Sequence, residues 1–520
     1  MLPGQHWARS FTVEAEDIDY LVNRLLENET PLSSRQLAEI LVSKRLEAEA
    51  AKLEARFKNA RIYNPSESYE VGQQLVFPVL DYRVAVITGI RPGDNQEYGA
   101  FNVAAVAFED QTPPREFAID LSVPHKLSTS ADDTAFMTMG SATVEDVMTE
   151  YGDRITDIVE NALQGEDGLV VVARKWFPAD LILQPDDGHL NLAEAVLDIN
   201  LGGPLHTHEI LEQMGGLGTS SAIELQEFSL NFVMNQDRRF DEVGPTGEVM
   251  WYLSRMEPEE VQRTPELLRY TAFPYNHDDL SPESLQVERE IGDELSDFPP
   301  APDGDEAVIT LIYPHRRAGT LPINHKTQHI FPTARRTERV YMTLVDGQDE
   351  EEFIGWVVRK EKYVFGLGPL YRKYSLPIGA YVSVARMEHP GRVRVDFSAY
   401  RARTEWIRLI TAKGDQLLFE NSKRAIGADY DDLMILGVDN LAELDAAVRL
   451  IGGQRKSLAA LLRMLIPGLS RLNPQGTAHF KTIYSALNVI RRCPPGPILA
   501  ILEANPDFEN VGGHYWKLNE

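Results

Sequence analysis

Apolar positions follow two rhythms along this chain, one of about 3.6 residues and one of two, and the rhythms alternate at short intervals. Ile18, Leu21, Val22, Leu25 and Leu26 share one side of a helix predicted from Glu14 to Asn28. Pro31, Leu32, Ser33 and Ser34 follow. Ser33 or Ser34 is placed to cap a second helix that starts at Arg35 and continues through Leu41 and Lys44 to Phe57. From Tyr69 to Leu121 the rhythm shortens. Tyr69, Leu75 and Phe77, then Val84 and Ile87, then Phe101, Val103, Val106 and Phe108, then Phe117, Ile119 and Leu121 mark short strands. Pro92, Gly93, Asp94, Asn95 and Gly99 supply turns between them.

Farther on, residues 123–150 are rich in Ser and Thr and read as a linker. A helix from Asp153 to Leu163 and a buried strand from Gly168 to Arg174 follow. Helices are predicted over Leu190 to Ile199, His206 to Met214 and Ser220 to Met234, then a hairpin over Phe240 to Leu253. Residues 307–412 return to strands, at Ala307 to Tyr313, Arg339 to Val345, Glu352 to Arg359, Tyr363 to Phe365, Tyr381 to Arg386 and Arg392 to Phe397. Pro369 to Tyr374 reads as one helical turn between them. The last segment predicts helices at Asn440 to Leu450, Lys456 to Leu465, Phe480 to Arg492 and Pro497 to Ala504, closed by a hairpin from Phe508 to Leu518.

One pattern occurs twice. Asn235, Asp237, Phe240, Val243, Gly244, Trp251 and Leu253 form the first copy, and Asn505, Asp507, Phe508, Val511, Gly512, Trp516 and Leu518 the second. Each follows helices and reads as two strands around a turn, with Gly244 and Gly512 expected to supply φ > 0. Helix, helix, then hairpin is the outline of a winged helix, and Pro31-Leu32 and Pro204-Leu205 enter their helices alike. The expected fold is multidomain α+β, with winged-helix domains alternating with small β-barrels. Its segments are 1–66, helical and winged-helix-like; 67–122, a small barrel; 123–185, a linker and α/β segment; 186–256, a winged helix; 257–306, an acidic linker; 307–412, a β-barrel; and 413–520, a helical domain ending in a winged helix. A chain of 520 residues is long enough for several such domains.

Charge changes this picture from scaffold to possible surface. The formal net charge is −28, yet residues 1–305 carry roughly 34 more acids than bases while 306–520 are mildly basic. Within 316–413 about 18 Lys and Arg stand against about 10 Asp and Glu. No acid lies between Asp445 and Glu503, a run that holds Arg449, Arg455, Lys456, Arg463, Arg471, Lys481, Arg491 and Arg492. A polyanion is repelled by the first half and attracted to the second. The plain alternative is a solvated helical face. Asp278 to Glu306 holds about eleven acids against Arg289 alone, with too few apolar residues to fold by itself. The single cysteine, Cys493, excludes an intramolecular disulfide framework and a multi-cysteine zinc site. Met1 to Arg9 lacks the apolar core of a secretory signal, and Ser457 to Leu469, interrupted by Arg463 and Pro467, is too short to span a bilayer. The expectation is a cytoplasmic protein with no membrane partner.

Two resemblances follow from these residues. Phe508, Val511, Gly512, Tyr515, Trp516 and Leu518 form a segment similar to the wing of HARE-type helix-turn-helix domains, the family of the bacterial RNA polymerase delta subunit, and Phe240 to Leu253 resembles it too. That likeness implies a transcription-associated or DNA-binding module. Delta-like proteins carry a C-terminal acidic segment, whereas the acidic stretch here is internal. Residues 67–122 have the cadence of Tudor or KOW-like modules, a likeness of fold alone. In 307–412, Leu321-Pro322, Phe331-Pro332, Phe353 to Arg359, Tyr363, Gly366-Leu367, Tyr371, Leu376, Gly379 and Val382 to Arg386 run in an order that resembles the plant-type DNA-binding pseudobarrel, which also occurs in some restriction enzymes. Those domains grip the major groove with arginine-rich loops, and the resemblance implies that Arg335, Arg336, Arg339, Arg359, Lys360, Arg372 and Lys373 contact DNA. An arginine fork suits guanine and phosphate alike.

Within the helical modules, the third helix Ser220 to Met234 offers Glu224, Gln226 and Glu227 but no Lys or Arg, which suits a protein neighbour better than a groove. In the last module Arg455, Lys456, Arg463, Arg471, Lys481, Arg491 and Arg492 are candidates to meet phosphate, while Pro497 to Ala504 carries no base. Backbone contact is therefore expected rather than sequence readout. No catalytic constellation emerges. His206 and His208, or His315, His325 and His329, would need converging carboxylates to hold a metal, so no metal or cofactor is expected. Gly366-Leu367-Gly368 lacks the third glycine of a dinucleotide fingerprint, no Gly-Lys-Ser or Gly-Lys-Thr exists, and no Gly-x-Ser-x-Gly elbow occurs. Cys493, ahead of Pro494 and Pro495, reads as a packed thiol. The expectation is a non-enzymatic DNA-binding transcription regulator or RNA-polymerase-associated factor, with double-stranded DNA on its basic half and RNA polymerase or another protein as partner. A protein-interaction scaffold and the DNA-recognition component of a restriction or defence system are the alternatives.

Overall fold

The computed structural model describes residues 11–57, 60–77, 80, 83–95, 98–108, 113–123, 143–302, 304–334 and 337–519. It is a mixed α+β chain that divides into two compact units, 1–183 with 221–228 and 184–220 with 229–520.

In the first unit, α1 (Ala15–Asn28), β1 (Leu32–Ser33) and α2 (Ser34–Phe57) come first in the chain. A five-stranded sheet follows in sequential order: β2 (Ala60–Ile62), β3 (Gln74–Phe77), β4 (Arg83–Pro92), β5 (Asn102–Phe108) and β6 (Arg115–Ile119). Its inward residues Leu75, Phe77, Ile87, Val106 and Ile119 make a core of their own with Tyr63. The chain then resumes with α3 (Val144–Leu163), β7 (Leu169–Val172) and β8 (Lys175–Pro178). Thr143 and Asp146 cap α3 reciprocally, the hydroxyl accepting from the Asp146 amide at 3.1 Å and the carboxylate from the Thr143 amide at 3.0 Å. Val147, Ile155 and Val159 of α3 lie on Leu37 and Leu41 of α2. The hairpin β7–β8 closes this module, with β1 paired to β8 so that Leu32 faces Trp176. The Trp176 indole donates to the Ser34 hydroxyl at 3.0 Å.

The second unit opens with α4 (Asp187–Ile199), β9 (Leu205–His206), α5 (Thr207–Met214), the later part of α6 (Ile223–Met234), β10 (Phe240–Glu242) and β11 (Met250–Leu253). The sheet order is β10-β11-β9, and Leu205 faces Trp251. Asn231 accepts from both the Trp251 indole, at 2.8 Å, and the Thr207 hydroxyl, at 2.6 Å. Next come α7 (Glu259–Gln262) and α8 (Pro282–Ile291). A seven-stranded, nearly closed sheet is built from β12 (Glu306–Thr310), β13 (Thr320–Pro322), β14 (Arg339–Asp346), β15 (Glu352–Val358), β16 (Tyr363–Phe365), β17 (Tyr381–Arg386) and β18 (Arg392–Asp396), in the order β12-β17-β18-β14-β15-β16-β13. Two short helices interrupt it, α9 (Tyr313–Ala318) and α10 (Gly368–Lys373). A long hairpin of β19 (Ala399–Lys413) and β20 (Gln416–Ala428) follows, with β21 (Leu436–Val438) beside β19. The chain finishes with α11 (Leu441–Gly453), α12 (Leu458–Ser470), β22 (Ala478–His479), α13 (Phe480–Ile490), α14 (Pro495–Ala504), β23 (Phe508–Gly512) and β24 (Tyr515–Leu518), with Ala478 facing Trp516.

Helix, two-residue strand, helix, helix and hairpin therefore occur in the same order three times. Each time the short strand pairs with the second hairpin strand, directly opposite a tryptophan. The sequence reading found two of these. The first module was missed as a unit because the five-stranded sheet lies between its second and third helices.

Three further expectations are corrected. The stretch 257–306, expected as an acidic linker that does not fold by itself, carries α7 and α8, and its Leu280, Val287 and Ile291 join the core formed by α12, α13 and α14. The boundary placed at 412/413 falls inside β19, one strand of the long hairpin. Gly244 does not adopt a positive φ, and Gly247 does (φ 103°). Gly244 is needed for space, since a Cβ there would come within 2.4 Å of the Glu248 carbonyl oxygen.

Candidate nucleic-acid interface

The fourteen basic residues singled out in the sequence divide by what surrounds them. Arg335 and Arg336 lie outside the described residues. Arg339, at the start of β14, bonds Glu257 at 2.6 Å and lies 3.3 Å from Asp241. Lys373 is held by Asp349, Glu351 and Asp346 at 2.5, 2.8 and 2.9 Å, and these three carboxylates raise its ammonium pKa. Arg463 pairs with Asp507 at 2.5 Å, and Lys481 with Asp431 at 3.1 Å and Glu290 at 3.6 Å. Arg492 is buried, 2.6 Å from Asp293 and 2.7 Å from Glu294. These five cations are neutralised where they stand, and Arg492 cannot reach a phosphate without unfolding its surroundings. Arg359, Lys360, Arg372, Arg455, Lys456, Arg471 and Arg491 form no ion pair among the described residues; Lys456 instead rests its ammonium 3.8 Å from the Met464 sulfur.

The sheet brings some of the free cations together and keeps others apart. Arg359, Lys360 and Lys362 lie on the tight turn from β15 to β16. The Arg359 guanidinium donates to the Ala334 carbonyl, and its amide donates to the Glu338 carbonyl at 3.0 Å. Arg359 is thus tied to both described flanks of the segment that carries Arg335 and Arg336. A cavity of about 220 Å³ adjoins this turn, with Asn324, His325, Gln328, Phe331, Arg359 and Lys362 among its lining. His325 is buried there, and its Nδ1 has no hydrogen-bond partner. Burial, together with the charges of Lys326 and Arg289, lowers its pKa. Arg372 and Lys373 sit at the opposite end, since Lys373 bonds Asp346 at the far end of β14. That strand has eight residues, so its ends are roughly 24 Å apart at about 3.4 Å per residue. The five described residues of the seven expected on the sheet therefore do not form one patch.

The third helices give little to a groove. Glu145, Asp146, Glu150, Asp153 and Asp157 are exposed on α3, with Arg154 as the one exposed base beside them. α6 carries no Lys or Arg and is largely buried. α14 is buried from Pro495 to Leu499, where a Cβ on Gly496 would meet the Tyr275 hydroxyl at 2.2 Å. Ser281 and Ser284 at the start of α8 also bond Glu503 of α14. The hairpin β10–β11 is covered as well. Val243 and Tyr252 pack with Trp356, Val358 and Tyr363 of the seven-stranded sheet, and the Tyr341 amide donates to the Val243 carbonyl at 2.8 Å. The hairpin β23–β24 differs, exposing residues 509 to 513 at its turn.

Sequence reasoning missed the buried polar network and the aromatic ribbon. In the network, Glu294 bonds His315 at 3.2 Å as well as Arg492, and the Tyr484 hydroxyl donates to Asp293 at 2.5 Å. Burial pushes both carboxyls up; for Glu294 the charges of Arg492 and His315 outweigh it and hold the group well below the usual carboxylate range. In the ribbon, Trp406 of β19 stands exposed across from Lys423 of β20. Its signal in the sequence was a tryptophan amid Arg and Lys in an alternating stretch. His206 and His208 stack with ring centres 5.5 Å apart, but no third ligand completes a metal site with them among the described residues. His315 bonds Glu294 and Thr320, His329 bonds the Gly304 backbone, and His206 bonds the Val249 carbonyl. No group of three or more His, Cys, Asp or Glu among the described residues is arranged to hold a metal, and no helix among them is long and apolar enough to cross a membrane.

No family model, curated protein or solved structure matches this chain.

Proposed function

We propose that the chain is a non-enzymatic nucleic-acid-binding protein, a transcription regulator or polymerase-associated factor, that holds duplex DNA through the seven-stranded sheet. On this reading the three helical modules are winged helices used for architecture and protein contact rather than groove insertion. The observation that carries it is the turn Arg359-Lys360-Glu361-Lys362, whose three cations have no carboxylate partner among the described residues and whose arginine bonds the Ala334 and Glu338 carbonyls. The resemblance of this sheet's residues to the DNA-binding pseudobarrel supports the same face. Phosphate binding by such cations releases counterions, so affinity falls with salt by a slope of about 0.9 per contact.

The test is titration of a labelled duplex with the full chain at several salt concentrations. The double substitution Arg359→Ala and Lys360→Ala is expected to weaken binding and to reduce the salt slope by about two. Both side chains are exposed, and an unchanged thermal melt checks that the variant keeps its fold. A wild-type chain with no salt-linked affinity for DNA would refute the proposal. It would favour the second reading, a protein-interaction scaffold, for which the paired Arg339, Lys373, Arg463, Lys481 and Arg492 and the acidic face of α3 already argue.

A further inference from the structure

Four of the five described tryptophans, Trp176, Trp251, Trp356 and Trp516, are at most 3% exposed, whereas Trp406 is 66% exposed. It sits on the long hairpin, in the stretch of β19 that precedes its pairing with β21 at Arg408. Strand alternation sorts the ribbon into two faces. The pairs Trp406–Lys423 and Arg408–Asn421 share one face, while Glu405 and Glu420 belong to the pairs of the other. The Lys423 ammonium lies 5.0 Å from the centre of the Trp406 ring.

This face continues into a cavity of about 240 Å³, lined by Arg408, Asn421, Asn473, Thr477, His479 and Tyr515 among others. The Asn421 amide donates to the Leu472 carbonyl, next to the exposed Arg471. The Arg408 guanidinium donates to the Asp432 carbonyl. His479 accepts the Lys481 amide proton on Nδ1 at 3.1 Å, which leaves Nε2 as the ring's donor. Asp431, the carboxylate nearest Lys481, is already held by it. An exposed aromatic ring, flanking cations and a polar recess large enough for one planar ring thus occur in sequence on one surface.

We propose that this face binds a single-stranded stretch of nucleic acid, with one base stacked on Trp406, Lys423 and Arg471 on the backbone, and a neighbouring base at the recess beside Arg408. The inference rests on the nucleic-acid reading above and adds a second contact of different geometry. Every base has a π-face, so stacking of this kind is tolerant of sequence, and the cations make it salt-dependent. A blunt duplex keeps its bases in the stack and offers none to the ring.

The test compares an oligothymidine strand with a blunt duplex of equal length, using the full chain and its tryptophan emission. The single strand is expected to quench the exposed tryptophan. Trp406→Phe should abolish that quenching, Trp406→Ala should weaken single-strand affinity about tenfold, and Lys423→Glu should weaken it further at low salt. Duplex affinity should be unchanged by all three. Trp406 and Lys423 are exposed, and an unchanged thermal melt confirms each variant's fold. If the chain binds the duplex but the single strand neither quenches Trp406 nor loses affinity in Trp406→Ala, this inference fails and the previous one stands. If neither nucleic acid binds, both fail.

Discussion

At the scale of single residues, the informative side chains are those whose neighbours alter their chemistry. Glu257 is buried beside Asp241 and Arg339; burial and the Asp241 carboxylate raise its pKa to about 8, against the pull of Arg339. A carboxyl whose folded pKa exceeds its unfolded value of about 4.5 favours the folded state fully below that value and loses the contribution as pH rises through about 8. Denaturant melts at about pH 6 and about pH 9 should therefore show a stability loss in the wild type that is smaller in Glu257→Gln. Equal losses in the two proteins would contradict the assignment. The sequence could not reveal this, because it depends on residues 241, 257 and 339 meeting across two modules. The tryptophans were easier to read. Trp251 and Trp516 were visible through their shared context of Asn, Asp, Phe, Val and Gly. Trp176 was not, because its hairpin has Ala173 and Arg174 at positive φ where the other turns contain glycine.

At the scale of elements, the strands of the seven-stranded sheet were nearly all legible, because their alternation is regular and their turns are punctuated. β16 and β17 match the sequence expectation residue for residue. The short strands β1, β9 and β22 carry no rhythm of their own, being two residues each. α8 was hidden for a different reason. Its composition is that of a solvated acidic segment, yet Val287 and Ile291 are four apart and face one way. They are buried against helices that lie two hundred residues downstream in the chain. Ile291→Ala should cost about 2–4 kcal/mol in a denaturant melt, the range for truncating a buried aliphatic side chain. A solvated linker would tolerate it with no measurable change. The long hairpin β19–β20 was split by a domain boundary because Glu405, Lys413, Asp415 and Glu420 break up its apolar positions.

At the scale of the whole molecule, the charge asymmetry in the sequence proved a poor guide to free surface. The acid-free run from Arg449 to Arg492 looked like one electrostatic patch, but three of its eight cations, Arg463, Lys481 and Arg492, are met by acids from elsewhere in the chain. Asp293, Asp431 and Asp507 come from segments before and after it. Arg492 shows the difference in a measurable way. Arg492→Met leaves Asp293 buried without a counter-charge and Glu294 with His315 alone, and should lower stability by about 3–5 kcal/mol. Adding Asp293→Asn and Glu294→Gln to that variant should recover part of the loss. A surface phosphate contact would behave in the opposite manner, weakening DNA binding while leaving the melt unchanged. The same scale sets the order in which the first unit can be assembled. Its five-stranded sheet pairs neighbours in sequence, from Ala60 to Ile119, and needs nothing that comes later. The helices from Ala15 to Phe57 must instead wait for the segment from Val144 to Pro178. As the chain leaves the ribosome, a finished guest is therefore carried by an unfinished host, whose apolar faces stay open until translation passes Trp176.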